Sequence, residues 1–287
     1  PEVINRCRGG LNLPYLVDNL TLCINKSIIL LIMLLGVHIS GVIRISDVPV
    51  KAHELGTNTC QFFSRSPQRW RSASIDEDEI ALFRKNRDKF KISPVFIHIP
   101  YLINLASPNP RLYKGSIEAY IEDIREAEKL GADYIVTHMG SHKNTLEIAG
   151  LARLAKALNK IETNTKGSSV GILLENTAGS GSWLGYKFSH HRRVLAKLKD
   201  RERFGVCLDT AHAYLAGYDI ATHEGLESML DDIQRNVGLD SVKLIHLNDA
   251  KDKLGSHHDR HEHIGKGNIG IEGMKRIINH PALKNKP

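Results

Sequence analysis

Apolar runs of four or five residues recur along the chain, and each ends on a polar side chain of a type that binds metals. Pro94–Ile97 runs into His98, Asp133–Thr137 into His138, Val170–Leu174 into Glu175, Phe204–Leu208 into Asp209 and Val242–Ile245 into His246. Short runs that are apolar at successive positions predict parallel strands buried on both faces. The pattern places strands near 34–39, 58–63, 94–98, 133–138, 170–175, 204–209 and 242–247. Helical periodicity fills the gaps. Ser74-Ile75-Asp76-Glu77 is a capping-type start. Tyr113–Leu130 gathers Ile117, Tyr120, Ile121, Ile124 and Leu130 on one side and stops at Gly131. Leu146–Ile161, Val194–Lys199 and Glu224–Val237 repeat the pattern, and Gly238 closes the last. Strand and helix alternating this regularly predict an α/β fold with a parallel sheet. Seven strands with no dividing linker predict a (β/α)8 TIM barrel lacking its eighth strand. The alternative is an open doubly wound sheet. Against it, no Gly-rich loop follows the first strand, and ligand-type residues end five consecutive strands instead of marking one switch point. Barrel chemistry sits where the strands end, so these five residues predict one shared polynuclear metal site.

Composition narrows the class. The 287 residues are 41% hydrophobic and 25% charged, which excludes a disordered or fibrous chain. A formal charge of +7 admits an anionic partner without identifying one. Cys7, Cys23, Cys60 and Cys207 form no C-x-x-C pair and predict free thiols in a reducing, cytoplasmic setting. Ile28–Leu35 is apolar but shorter than the roughly 20 residues of a membrane span. No small-x-small cleavage site follows it. Met33 opens the first strand pattern, so residues 1–32 are expected to be a poorly ordered extension and 33–287 the barrel domain. At the other end, Lys284–Pro287 stops in mid-pattern.

The metal-type residues are His98, His138, Glu175, Asp209, His212, His246, Asp259 and His261. Asp209-Thr210-Ala211-His212 sets an imidazole one turn beyond a strand-end carboxylate. Asp259-Arg260-His261 puts two ligand types two residues apart, facing one way if the loop is extended. Imidazole nitrogen and carboxylate oxygen suit zinc, and also manganese or iron. A single histidine at a strand end is more often an ordinary hydrogen-bonded residue. Buried together without a cation, however, these acids and histidines would be costly.

Longer motifs carry a family resemblance. They include His98-Ile99-Pro100-Tyr101-Leu102-Ile103-Asn104-Leu105-Ala106, His138-Met139-Gly140-Ser141-His142 and Leu174-Glu175-Asn176-Thr177-Ala178-Gly179. Gly205-Val206-Cys207-Leu208-Asp209-Thr210-Ala211-His212 and His246-Leu247-Asn248-Asp249-Ala250-Lys251 follow, then Asp259-Arg260-His261 and Ile264-Gly265-Lys266-Gly267-Asn268-Ile269-Gly270. From about residue 33 onward the chain resembles the endonuclease IV family of zinc-dependent apurinic/apyrimidinic endonucleases (deoxyribonuclease IV). The resemblance implies hydrolysis of the phosphodiester 5′ to abasic sites in duplex DNA, leaving a 3′-hydroxyl, in base excision repair. It implies three zinc ions. His98 and His138 would hold the first, with Glu175 bridging to the second. Asp209 and His246 would complete the second, and His212, Asp259 and His261 would hold the third. Catalysis would rest on Glu175, Asp209 and His246. Tyr101 and Leu102 match the pair that enters the duplex, and Gln68 and Arg69 lie in the second DNA-penetrating loop. His38 and His142 match histidines beside the cluster, whereas His190, His191, His257, His258 and His263 read as solvated. Arg65, Arg69, Lys143, Lys187, Lys251 and Lys266 are candidates to attract phosphate. The partner is damaged duplex DNA, with no membrane and no obligate protein partner.

The chain also departs from the family. A further Glu ligand of the second zinc, on the last strand, would fall just beyond Pro287. Gly41-Val42-Ile43-Arg44 stands where the family has a glycine pair, and Ala211 replaces a cysteine. One rival expectation is a metal-dependent sugar isomerase or epimerase barrel. Another is a truncated fragment that binds zinc and DNA without turnover.

Overall fold

The computed structural model describes residues 33–65, 70 and 75–287. The expected extension 1–32, the capping Ser74, and Gln68 and Arg69 lie outside the described residues. The element order is β1 (Gly36–Ile39), α1 (Val48–Glu54), β2 (Thr59–Phe62), α2 (Glu77–Phe90), β3 (Val95–His98), α3 (Pro110–Leu130), β4 (Tyr134–His138) and α4 (Glu147–Asn164). It continues with β5 (Gly171–Glu175), α5 (Phe188–Leu195), β6 (Phe204–Asp209), α6 (Thr210–Ala216), α7 (His223–Asn236), β7 (Val242–His246), β8 (Asp249–Ala250), β9 (His261–Glu262) and α8 (Gly270–Asn279).

β1 to β7 form one parallel sheet in sequence order, so every neighbour pair is joined by a crossover. β1 and β7 are its edges, and the outer edge of β7 donates Ile245 N–H to Pro287 O at 2.9 Å. β8 and β9 make a separate antiparallel pair. Caps match the local sequence. Asp76 accepts from Asp78 N at the start of α2, and Asn109 accepts from Leu112 N at the start of α3. Gly131 ends α3 in the left-handed conformation at φ 70°, where a side chain would be strained.

Strand alternation divides the core. Phe96, Val136, Leu173, Cys207 and Leu244 form one buried cluster, with Tyr134 packed against it. Their neighbours Ile97, Ile135, Ile172, Leu174, Val206 and Leu208 belong to the larger cluster shared with the helices. The smaller cluster is therefore the inner layer of the curled sheet. Two residues further along the same five strands stand His98, His138, Glu175, Asp209 and His246. Because side chains alternate with period two, these five point to the same interior as the apolar layer below them.

The helix expected over Val194–Lys199 instead spans Phe188–Leu195. Its buried face includes His190 and His191 beside Phe188, Val194 and Leu195, and these imidazoles hid the apolar stripe. Both histidines are buried, at 3% and 0% exposed, which corrects their reading as solvated. His190 Nε2 lies 3.1 Å from Glu147 Oε1, and its Nδ1 accepts Gly185 N–H at 3.1 Å.

Candidate metal centre

Each crossover returns the chain to the same end of the sheet, so five strand ends meet at one mouth. The register is level across it: His138 pairs with Glu175, and Asp209 with His246. Glu175 lies at the middle. Its Oε1 is 2.8 Å from His246 Nδ1, and its Oε2 is 3.1 Å from His98 Nε2 and 3.3 Å from His138 Nε2. A second acceptor stands to one side, where Asp259 Oδ1 is 3.1 Å from His212 Nε2 and 3.3 Å from His261 Nε2. Asp209 caps α6 by accepting His212 N–H at 2.8 Å, which sets His212 between the two acceptors.

Three groups among the described residues bring one ligand atom from each member within 4.8 Å of the others: His98–His138–Glu175, Glu175–Cys207–His246 and Asp209–His212–His261. The donor set fits zinc. Four ligands about 2.0–2.1 Å from a tetrahedral zinc stand about 3.3 Å from one another. The His98, His138, His212 and His261 contacts, at 3.1 to 3.3 Å, match that spacing. Cys207 is buried beneath the mouth, and burial pushes its thiol well above the usual range, so it enters as a neutral neighbour.

The charges agree with a cation site. Burial opposes ionisation of Glu175, but the His246, His138 and His98 imidazoles together outweigh it and hold the carboxyl well below its usual range. Burial likewise opposes ionisation of Asp259, and the hydrogen bonds from His212 and His261 reverse it. Burial drives His138 down to about 4. His212 is buried too, yet Asp209 and Asp259 raise it to about 10. Without metal, the cluster therefore balances ionised carboxylates with protons on imidazole.

Supporting amides hold the ligands, and residue patterning did not single them out. Asn176 accepts Asp209 N–H at 2.7 Å and donates to Asp209 O at 3.0 Å. Asn248 donates to Asp209 Oδ2 at 2.7 Å. Both lie inside motifs that carry the family resemblance, which is the signal that could have found them. Gln61, which lies 2.9 Å from both His246 Nε2 and His38 Nδ1, carries no motif. His38 thus reaches the cluster through Gln61, whereas His142 turns back onto Thr145 O and joins none of the three groups.

Tyr101 lies at the mouth, 56% exposed, with its ring 6.4 Å from His138 and 5.6 Å from Phe63. Leu102 beside it is half-buried. Arg65 corrects its expected role. It is buried, its Nη2 lies 2.6 Å from Asp123 Oδ2, and both side chains are 4% exposed, so it presents no charge to a phosphate. Lys143, Lys187, Lys251 and Lys266 are exposed. His257 and Ser180 tie the Asp259 loop to the segment after β5, through Ala178 O at 2.7 Å and Asp259 N at 3.2 Å.

This fold and its mouth define a class: residues 49–285 match the family described as xylose isomerase-like TIM barrel. A curated relative named "Probable endonuclease 4" from Halothermothrix orenii is 40% identical over 258 residues, covering 89% of this chain and 91% of that protein. The crystal structure of endonuclease IV from Thermus thermophilus superposes with a TM-score of 0.78 at 34% identity, covering 88% of this chain and 89% of that one. A D-tagatose 3-epimerase-like protein, at 21% identity and TM-score 0.62, covering 84% of this chain and 85% of that one, shares the fold alone. Within the barrel class, the chain belongs to the endonuclease IV family. No helix among the described residues is long and apolar enough to cross a membrane.

Proposed function

We propose that this chain is a zinc-dependent hydrolase that cuts the phosphodiester 5′ to abasic sites in duplex DNA, leaving a 3′-hydroxyl, in base excision repair. One observation carries the reading: a single carboxylate, Glu175, presents one oxygen to His246 and the other to His98 and His138. That arrangement suits a bridge between two cations. His98, His138 and Glu175 would hold the first zinc; Glu175, Asp209 and His246 the second; and His212, Asp259 and His261 the third. Zinc bound there would supply Lewis-acid stabilisation of the charge that builds on the phosphoryl oxygens.

The chain's own side chains do the rest. The imidazoles and carboxylates converge on the place where the phosphate is received. Exposed Lys251 and Lys266 draw the backbone toward the mouth, an attraction that weakens with salt. An abasic site lacks a base to stack, so extruding its sugar is cheap. Tyr101 stands exposed at the rim beside Leu102, where the pair can fill the gap left in the duplex. Gln68 and Arg69 are assigned to DNA contact by the family resemblance alone. The buried thiols of Cys60 and Cys207 suit a reducing cytoplasm.

The test is a duplex carrying a tetrahydrofuran abasic analogue, which does not undergo β-elimination. The expected result is a single nick 5′ to the analogue whose 3′ end a polymerase extends, abolished by chelation and restored by zinc. Full activity after exhaustive chelation, or an end that cannot be extended, overturns the assignment. Turnover of a ketose with no DNA nicking would favour the sugar epimerase alternative.

A further inference from the structure

Two of the candidate ligand rings are oriented by backbone carbonyls. His98 Nδ1 lies 2.8 Å from Ile99 O, and His212 Nδ1 lies 2.9 Å from Asn176 O. A carbonyl only accepts, so each Nδ1 carries a proton, and each Nε2, facing a carboxylate, is the atom left to hold a cation. His246 presents the opposite nitrogen. Its Nδ1 faces Glu175, and its Nε2 lies 2.9 Å from Gln61 Oε1. The amide oxygen also only accepts, so Nε2 keeps its proton and Nδ1 is the atom left for a cation. The Gln61 amide nitrogen, 2.9 Å from His38 Nδ1, donates there and leaves its oxygen facing His246.

We propose that Gln61 is a positioning residue that fixes the tautomer and ring orientation of His246 at the metal centre. This rests on the reading of His246 as a zinc ligand. His246 ends β7. Gln61 belongs to β2, 185 residues away in sequence, and reaches across the mouth to give the ring a second anchor. For His98 and His212 the orienting acceptor is main chain, beyond the reach of substitution. For His246 it is a side chain that can be exchanged.

The experiment uses the full chain loaded with zinc. A long-range 1H–15N spectrum of the imidazole nitrogens should show His246 protonated at Nε2. Q61L, close in size and without an acceptor, should lose that single tautomer. It should also weaken the zinc that His246 would hold about 10–100-fold in chelator competition, the usual effect of removing a ligand's hydrogen-bond partner. KM for an abasic duplex should stay unchanged. Q61E, whose carboxylate also accepts, should restore the tautomer and the affinity. A role limited to packing would lower the melting temperature and leave tautomer and affinity alone, which overturns the proposal. If Q61L folds poorly, the spectrum of the unsubstituted protein still decides: His246 protonated at Nδ1 in the zinc-loaded chain overturns it. Zinc uptake and nicking that Q61L leaves intact refute this inference alone. A chain that takes up no zinc refutes the function proposed above, and this inference with it.

Discussion

Glu175 and Asp259 each gather imidazoles from neighbouring elements, yet they are built differently. Glu175 ends a strand paired on both sides, is 2% exposed, and faces rings carried by three other strands. Asp259 sits in the loop between β8 and β9, with its side chain 50% exposed and that of His261 40% exposed. The β8–β9 pair that carries this loop is tied to the segment after β9 by a buried carboxylate in β8. Asp249 accepts backbone N–H from Ala250 at 2.8 Å, Gly265 at 2.9 Å, Ile269 at 3.0 Å and Gly267 at 3.1 Å. A Cβ on Gly267 would collide with Ala250 O and the Asp249 carboxylate, so only glycine lets the segment after β9 close on Asp249. The contrast separates two ways of preparing a site. The strand-end candidates are held by the register of the sheet, whereas the Asp259 loop is held by side-chain contacts from Asp249, Ser180 and His257.

That contrast can be broken at either side. The largest effect is expected from E175Q, which removes the carboxylate shared by the strand-end histidines. Nicking should fall by more than the roughly 10–100-fold seen for partners outside the ligand set. Atomic emission should show the strand-end ions lost together. D259N should be milder, releasing the loop ion while the strand-end ions stay in a metal count. D249N should be milder still, because it leaves all the ligands in place. Unpairing part of the buried network costs about 1–3 kcal/mol. Urea unfolding should register that cost, and chelator competition should show weakening confined to the loop ion. If D249N weakens the strand-end ions equally, the two halves are not separable.

A last effect concerns acid and base. In the metal-free protein His212 is raised from 6.5 to about 10. A raised imidazole contributes stability that is fully present below its unfolded value and is lost as pH rises through the folded one. Urea unfolding of the metal-free chain should therefore show a His212 contribution, measured against H212N, that shrinks across that window. A contribution that grows with pH contradicts the arrangement of Asp209 and Asp259 around this ring.

The strand-end half was legible in the sequence and much of its support was not. Parallel strands covered on both faces need continuous apolar runs, so the residue ending each run stood out, from His98 to His246. Asp259 and His261 were read from two ligand types two residues apart, a spacing that alone does not demand a cation, and family motifs then placed them together with His212. Gln61 gave no signal because its role arises from a contact across 185 residues. The burial of His190 likewise depends on Glu147 and Gly185, and that of Arg65 on Asp123 58 residues away. Periodicity reports which face is apolar. It does not report which polar side chains find partners once the faces meet.

The most direct test of the central claim is a zinc count on the purified chain, titrated to saturation and read by atomic emission. Three ions per chain, with the last to bind lost in D259N, are the predicted result. A chain that saturates at one ion or none, or one whose count is unchanged in E175Q, contradicts it.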